Sequence, residues 1–545
     1  MAKIAYAQIE IAAGQIEVNA EKILNFITQA KEKGVELIVF PELCLSGKYI
    51  GDTFRQKSFI KDCEYFEEKI IAASKDITII FGNLVDAENK NINPSRYFVA
   101  YGGEIKLQGD ANKILEMTFN GEDKVYQIAF QLDSEPFRLG ERVERDKFFS
   151  ANAKNTNRPL IYVNATGIQN RGKTVYTFDG TSTVYNSRGE IVQFAEPFKE
   201  SLNILEIEEI DKLPALEVPK FEEIAEIYQA VSYGTEKFLK QIGMKKVVVG
   251  ISGGIDSAVA AALYTKILGA ENVFLVNMPS KFNSATTKNL SEQLAKNLGC
   301  KYFVLPIQES VDFTVKQLEG VGLKISSFVK ENIQARDRSS RILAAVAAAV
   351  GGGFTCNANK AETTVGYATL YGDEAGFLCA LADLWKFQIY QLADYLNDEV
   401  YKREVIPQGI IEIVPSAELS SAQNVDEGKG DPLKYPYHDY LFRAFVEENL
   451  TPEDILKFYS EKNLESEIGC AEGLLEKYFP TAKDFVEDLE RWWKLFTGFA
   501  VAKRIQSPPI ISVSQRSFGS EFAESQNIPH FTQGYKDLKA ELLKK

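Results

Sequence analysis

Lys245-Lys-Val-Val-Val-Gly-Ile-Ser-Gly-Gly-Ile-Asp-Ser257 runs on into the alanine-rich Ala258 to Tyr264. The valine run reads as a buried strand, the small residues as a loop, and the rest as a helix. Gly253 and Gly254 carry no Cβ, so the backbone there can take positive φ and approach an oxyanion closely. Ser252, Asp256 and Ser257 add two hydroxyls and a carboxylate at the helix start. The stretch lacks the Gly-Lys-Ser/Thr ending of a Walker loop. An ordinary capped helix after a strand is the plainer reading, but strand, glycine pair, Asp-Ser and helix occur here together and in order.

Working outward, strands and helices alternate on the C-terminal side. Val273 to Val276, Tyr302 to Leu305 and Phe354 to Asn357 read as strands; Ala285 to Leu298, Glu331 to Val350 and Asp383 to Leu396 read as helices. Alternation of this kind predicts a doubly wound parallel sheet with its ligand at the carboxyl ends of the strands. On the N-terminal side strands are expected at Ile4 to Ile11, Leu37 to Phe40, Ile77 to Phe81, Tyr97 to Tyr101, Val125 to Phe130, Leu160 to Asn164 and Thr181 to Tyr185, with an amphipathic helix over Asn19 to Lys33. The chain's 545 residues exceed what one core serves. The expected division is residues 1–212, a linker over 213–225 that contains Pro214 and Pro219, and residues 226–545.

A composition of 45% apolar and 25% charged residues is that of a globular protein in water. The net charge of -14 argues against nonspecific binding to nucleic acid or an anionic membrane. No N-terminal stretch reads as a secretory signal, and the most apolar long run, Ile342 to Phe354, is 13 residues, too short to span a bilayer; a cytoplasmic protein is expected. Six cysteines without C-x-x-C spacing fit reduced thiols, and two histidines leave little material for a zinc site or a histidine base.

Ser252-Gly-Gly-Ile-Asp-Ser257 resembles the loop of the ATP pyrophosphatases, which split ATP between its α- and β-phosphates. A longer series resembles the NAD synthetase family, which amidates deamido-NAD: Met278 to Ser284, Glu331 to Arg336, Asn359 to Asp373, Asp383 to Lys386, Pro415 to Leu419 and Ala502 to Gln506. The resemblance covers most of Phe221 to about Phe522. It implies ATP contacts at Gly250, Ser252, Gly253, Gly254, Asp256, Ser257, Asn357, Lys386 and Ser416, and deamido-NAD contacts at Asn332, Arg336, Glu362 and Lys503. Asp256, Glu362 and Lys386 are the implied catalytic set, and the two carboxylates are the implied ligands of Mg²⁺. The chain departs from the family at Asn357, where a Thr is usual, and at Leu378-Cys-Ala-Leu381, where a proline-containing stretch is usual.

Phe40-Pro-Glu-Leu-Cys-Leu-Ser-Gly47 resembles the start of a nitrilase-type amidase domain, of α-β-β-α sandwich fold, with Glu42 the general base and Lys113 the oxyanion lysine. Joined to an NAD synthetase, such a domain is usually a glutaminase, and it needs a cysteine nucleophile after the next strand. Ile128-Ala-Phe-Gln-Leu-Asp133 stands there, with Gln131 at the thiol position, and no cysteine occurs between Cys63 and Cys300. Ser134 is a remote substitute.

The expectation is therefore an ATP- and Mg²⁺-using ligase that adenylates deamido-NAD and amidates it with ammonia, taken directly or from a separate glutaminase. Amidation of a different acid, or a silent nucleotide-binding scaffold, are the alternatives. The resemblance also implies a homo-oligomer, at least a dimer.

Overall fold

The computed structural model describes residues 3–84, 95–120, 125–217, 222–525 and 529–544. The chain forms two compact units, Met1–Lys237 and Phe238–Lys545. Their division falls within the helix Glu223–Gln241; part of the expected linker, 218–221, lies outside the described residues.

The first unit holds two facing sheets. One contains β1 (Lys3–Gln8), β2 (Leu37–Val39), β3 (Thr78–Leu84), β4 (Ser95–Tyr101) and β5 (Glu104–Asp110). The other contains β6 (Leu115–Asn120), β7 (Val125–Leu132), β8 (Leu160–Val163), β11 (Thr183–Tyr185) and β12 (Ile191–Phe194). Between β8 and β11 in sequence, β9 (Thr166–Arg171) and β10 (Thr174–Asp179) make a hairpin, and β13 (Ser201–Glu206) pairs antiparallel with β1. The orders are β13-β1-β2-β3-β4-β5 and β12-β11-β8-β7-β6.

Period-two alternation decides which side chains meet. Ile4, Tyr6, Leu37, Val39 and Ile80 of one sheet share a core with Ile128, Phe130, Leu132, Ile161 and Val163 of the other. The residues between them point outward. Ala5 and Ala7 pack with α1 (Ile16–Glu32) and α2 (Lys57–Ala72), while Ala129, Leu160 and Tyr162 pack with Phe149 and Ala153 of α3 (Glu141–Thr156). Helix α1 buries Ile16, Ala20, Ile23, Ile27 and Ala30, a stripe at steps of three and four that leaves its other face to solvent. The result is the expected α-β-β-α sandwich.

In the second unit, which α4 (Glu223–Gln241) leads into, the strands are β14 (Val247–Gly250), β15 (Val273–Asn277), β16 (Lys301–Val304) and β17 (Gly353–Phe354). All pair in parallel, in the order β16-β15-β14-β17. In order of appearance this is 3-2-1-4, so the connections reverse direction at β14, the place where a doubly wound sheet opens its crevice. Helices α5 (Ile255–Leu268) and α6 (Ala285–Leu298) pack on the sheet, and α7 (Gln308–Gly320), α8 (Ser327–Arg336) and α9 (Ala344–Val350) follow. Val248, Phe274 and Val276 share a core with Leu343 and Ala347. The long helix expected over Glu331 to Val350 is interrupted by a π-helical segment, Asp337–Leu343, which displaces the register of side chains facing the sheet. Helices α10 (Lys360–Val365) and α11 (Lys386–Tyr395) add further side chains to the crevice. Among the described residues no helix is long and apolar enough to cross a membrane.

Phe130 is wholly buried between the two sheets, whereas Val125 on the same strand is 58% exposed. Phe130→Ala is expected to lower unfolding free energy by about 3–5 kcal/mol and Val125→Ala by less than about 0.5 kcal/mol, read from urea unfolding.

Candidate functional site

At the carboxyl ends of β14, β15 and β17 lie two cavities that share a wall. The larger, about 250 Å³, is lined by Gly250, Met278, Leu343, Thr355 and Asn357 among others, a partly apolar surface suited to a flat heterocycle and its sugar. The second, about 170 Å³, is lined by Gly253, Gly254, Thr287, Lys386, Tyr390 and Ser416. Ser252, Asp256, Glu362, Tyr367 and Asp373 face both.

The glycine loop is shaped as its composition requires. Gly253 has φ +90°, and a Cβ built on it would stand 2.4 Å from the carbonyl oxygen of Thr287. Ser257 Oγ donates to Gly254 O at 3.0 Å, and Gly254 N lies 3.2 Å from Ser252 Oγ. The loop thus ends at the start of α5, where free amides and the helix dipole favour an anion.

Three elements bring the charged groups together. Lys386, first residue of α11, places Nζ 2.5 Å from Asp256 Oδ2 and 3.9 Å from Glu362 Oε1. Asn359 caps α10: its Oδ1 accepts from Glu362 N, while its Nδ2 donates to Asp256 Oδ1 at 2.9 Å. Tyr435 OH donates to Glu362 Oε1 at 3.1 Å, and its ring lies 4.8 Å from Lys386 Nζ. Burial, and then the neighbouring Asp256, push the Glu362 carboxyl up to about 8 against the pull of Lys386. Burial would lower the Lys386 ammonium, but Asp256 and Glu362 reverse this and hold it above the ordinary lysine range.

A tetra-anionic triphosphate entering beside these two carboxylates would meet repulsion that Lys386 alone does not offset. Oxygen donors of this kind suit a hard divalent cation, so Asp256 and Glu362 fit Mg²⁺ in chemistry. Each retains some exposure, with side chains 18% and 19% accessible.

The remaining expected residues fall in two groups. Asn357 Nδ2 donates to Gly250 O at 3.3 Å across the strand ends, and Ser416 Oγ donates to Gln423 O at 2.6 Å. Asn332, Arg336 and Lys503 converge on one loop instead. Lys503 Nζ donates to Gly366 O and Ala368 O at 2.6 Å, Thr369 Oγ1 donates to Asn332 Oδ1 at 2.9 Å, and Arg336 Nε donates to Leu370 O at 3.1 Å. Four residues not assigned roles from sequence also belong to the site: Asn359, Tyr435, Asp431 and Arg338. Asp431 accepts from Tyr367 OH at 3.0 Å, and Arg338, on the π-helical segment, donates to Met278 O at 3.1 Å. Asn359 belongs to the Asn359–Asp373 stretch that resembles the family, but its reach to Asp256, 103 residues away, has no local signal in the sequence.

In the first unit, Gln131 lies near the end of β7, 8% exposed, and its Nε2 donates to Leu132 O at 3.0 Å. Glu42 N donates to Asp133 O at 3.1 Å, which sets the two segments side by side. Lys113 lies exposed in the turn between β5 and β6; among the described residues Lys48 acts on Glu42, and it also pairs with Glu135. Burial raises the Glu42 carboxyl and pushes Asp133 up to about 7. Cys44 and Cys63 are wholly buried, their thiols pushed up to about 12 by burial, which leaves them without a reactive thiolate. Ser134 is buried as well.

Residues 3–115 match the family model described as carbon-nitrogen hydrolase, and residues 227–469 that described as NAD synthase. A glutamine-dependent NAD(+) synthetase of Synechocystis sp. is 30% identical, the match covering 95% of this chain and 97% of the relative. The solved glutamine-dependent NAD+ synthetase of Acinetobacter baumannii, in complex with ADP, is 25% identical with TM-score 0.68, over 96% of this chain and 98% of that one. The Cytophaga hutchinsonii structure of a glutamine-dependent NAD(+) synthetase shares the fold at TM-score 0.77, 16% identity and 99% coverage of both chains.

Two outcomes follow from the geometry. Gly253→Ala forces a side chain against the Thr287 backbone, so ATP affinity measured by calorimetry is expected to fall by about tenfold or more, about 1.4 kcal/mol. Glu362 has a folded pKa raised from 4.5 to about 8. Its contribution to stability is therefore full below pH 4.5 and is lost as pH rises through about 8. In urea unfolding across that window, Glu362→Gln should flatten the decline; an unchanged slope would show that another group sets it.

Proposed function

The chain belongs to the NAD synthetase family, and on that premise we propose that it amidates deamido-NAD at the expense of ATP, with ammonia rather than glutamine as the nitrogen donor. The observation that carries the first part is that Asp256 and Glu362 face both a nucleoside-sized cavity and the glycine-lined one, with Lys386 of the second cavity paired to both.

The base and ribose of ATP fill the cavity beside Gly250, Met278 and Asn357, and the polyphosphate turns over Ser252 to Asp256. Amides at the start of α5 donate to it, and Lys386 neutralises part of its charge. Asp256 and Glu362 would hold Mg²⁺, which when bound supplies charge neutralisation for the departing pyrophosphate. The carboxylate of deamido-NAD, held beside the loop that Asn332, Arg336 and Lys503 support, attacks the α-phosphorus. Ammonia then displaces AMP from the acyl-adenylate, giving NAD. The residues contribute mainly position and charge, since the adenylate itself provides the leaving group.

The nitrogen source rests on the first unit. Its relatives are named for glutamine, yet this chain has no cysteine from residue 64 to 299, and Gln131 lies near the end of β7. A carboxamide has no nucleophilic form at neutral pH. Ser134 is buried, and its hydroxyl would need a stronger activating base than a thiol does. The unit is thus a sandwich kept without amidase chemistry, and ammonia arrives from solution or from a separate glutaminase.

The full-length protein, given ATP and deamido-NAD, should form NAD with ammonium and at least about a hundredfold more slowly with glutamine. Equal rates on the two donors would refute the inert-amidase reading. Asp256→Ala should cut pyrophosphate release by about a hundredfold or more.

A further inference from the structure

Lys360 stands between the cap Asn359 and the carboxylate Glu362, yet it lines neither cavity and its side chain is wholly buried. Its Nζ lies 3.1 Å from Asp383 Oδ1 and 2.8 Å from Glu447 Oε1, and donates to Ser514 Oγ at 2.6 Å and Arg516 O at 3.2 Å. Asp383 is wholly buried in turn, and accepts from Val513 N and Ser514 N, each at 2.7 Å, and from Ser514 Oγ at 2.9 Å. Trp385 Nε1 donates to Glu447 Oε1 at 3.0 Å, and the Trp385 ring lies 5.1 Å from Lys360 Nζ. The Lys360 amide also donates to Leu384 O at 2.8 Å.

These contacts tie the start of α10 to the three residues before Lys386. Adhesion does not require them, because Trp385, Tyr435, Leu441, Phe445 and Trp492 already form an apolar cluster around the same elements. Ion pairs this deep recover little net stability, and apolar replacements are often neutral or better. What an apolar filling would not do is fix the separation between Glu362, two residues after Lys360, and Lys386, three residues after Asp383. A slip of about 1 Å in such a pair can cost about a hundredfold in rate.

We propose that Lys360, with Asp383 and Glu447, is a positioning group for adenylation: it touches no substrate and sets where Lys386 and Glu362 stand against Asp256. The kinetic part of this inference rests on the proposed function; the structural part does not.

Lys360→Met and Asp383→Asn in the full-length protein test it with two readouts. The first is acetylation of Lys386 by acetic anhydride, quantified by peptide mass spectrometry against the exposed Lys316. The second is steady-state pyrophosphate release with ammonium as donor. Expected are Lys386 acetylation at least about tenfold faster, Lys316 unchanged, and kcat about a hundredfold lower with KM for ATP within about threefold. A lowered melting temperature with wild-type labelling and wild-type kcat at 25 °C would reduce the triad to a stability element and overturn the proposal. Should either variant fail to fold, Ser514→Ala decides, since it removes one hydrogen bond from each of Lys360 and Asp383 without altering charge. A tenfold loss of kcat with faster labelling supports the proposal, and wild-type values overturn it. A wild-type protein that releases no pyrophosphate would sink the functional reading while leaving the labelling result to judge the positioning claim.

Discussion

One ammonium group organises the second unit's centre. Lys386 is 3% exposed, and its Nζ sits between two carboxylates from different helices. A buried cation is tolerable only beside opposite charge and hydrogen-bond acceptors, and removing either partner strands the rest. The constraint therefore runs in every direction. The α5 turn must present Asp256, α10 must present Glu362, and α11 must begin at Lys386, or the charges stay unpaired. Asn359 closes the circuit by capping α10 with one end of its amide and holding Asp256 with the other.

The same crowding prepares the site for a ligand. Glu362 is driven toward protonation by burial and by Asp256, so a cation that neutralises the pair regains ionised oxygen donors there. The glycine loop supplies the complementary surface, amides and hydroxyls that favour negative charge. Anion-favouring loop and cation-favouring carboxylates meet on one wall. This is the polarity that a metal-bound triphosphate would need, and the sheet's switch point at β14 is what leaves room for it.

The fold of the first unit rests on residues other than those of its candidate amidase site. Its two sheets are locked by Ile4, Tyr6, Phe130 and Ile161 and their neighbours, all on the faces turned toward each other. None of these positions depends on the residue at 131. A Gln there keeps its amide satisfied by Leu132 O and so costs the core little. Around it the charges Glu42, Lys48, Asp133 and Glu135 still gather, with Lys48 in a place that the local sequence did not mark as special.

Much of this was legible in the chain itself. The order strand, glycine loop, helix in Lys245 to Tyr264 fixed the cradle, because a loop of residues without bulk followed by a helix start has few other physical readings. Alternation along the N-terminal strands gave the two-faced sheets, while β5, β6 and the β9-β10 hairpin, more mixed in polarity, were not anticipated. The π-helical turn at Asp337–Leu343 leaves no mark in the sequence, since periodicity cannot register one extra residue in a helical turn. Sequence thus determined the local shapes and named Asp256, Glu362 and Lys386 one by one. Only the tertiary structure decided that Asn359 bridges to Asp256, that Lys48 acts on Glu42, and that Lys360 holds Asp383. Such pairings join residues far apart in the chain, and their strength comes from shared burial, which no single segment carries by itself.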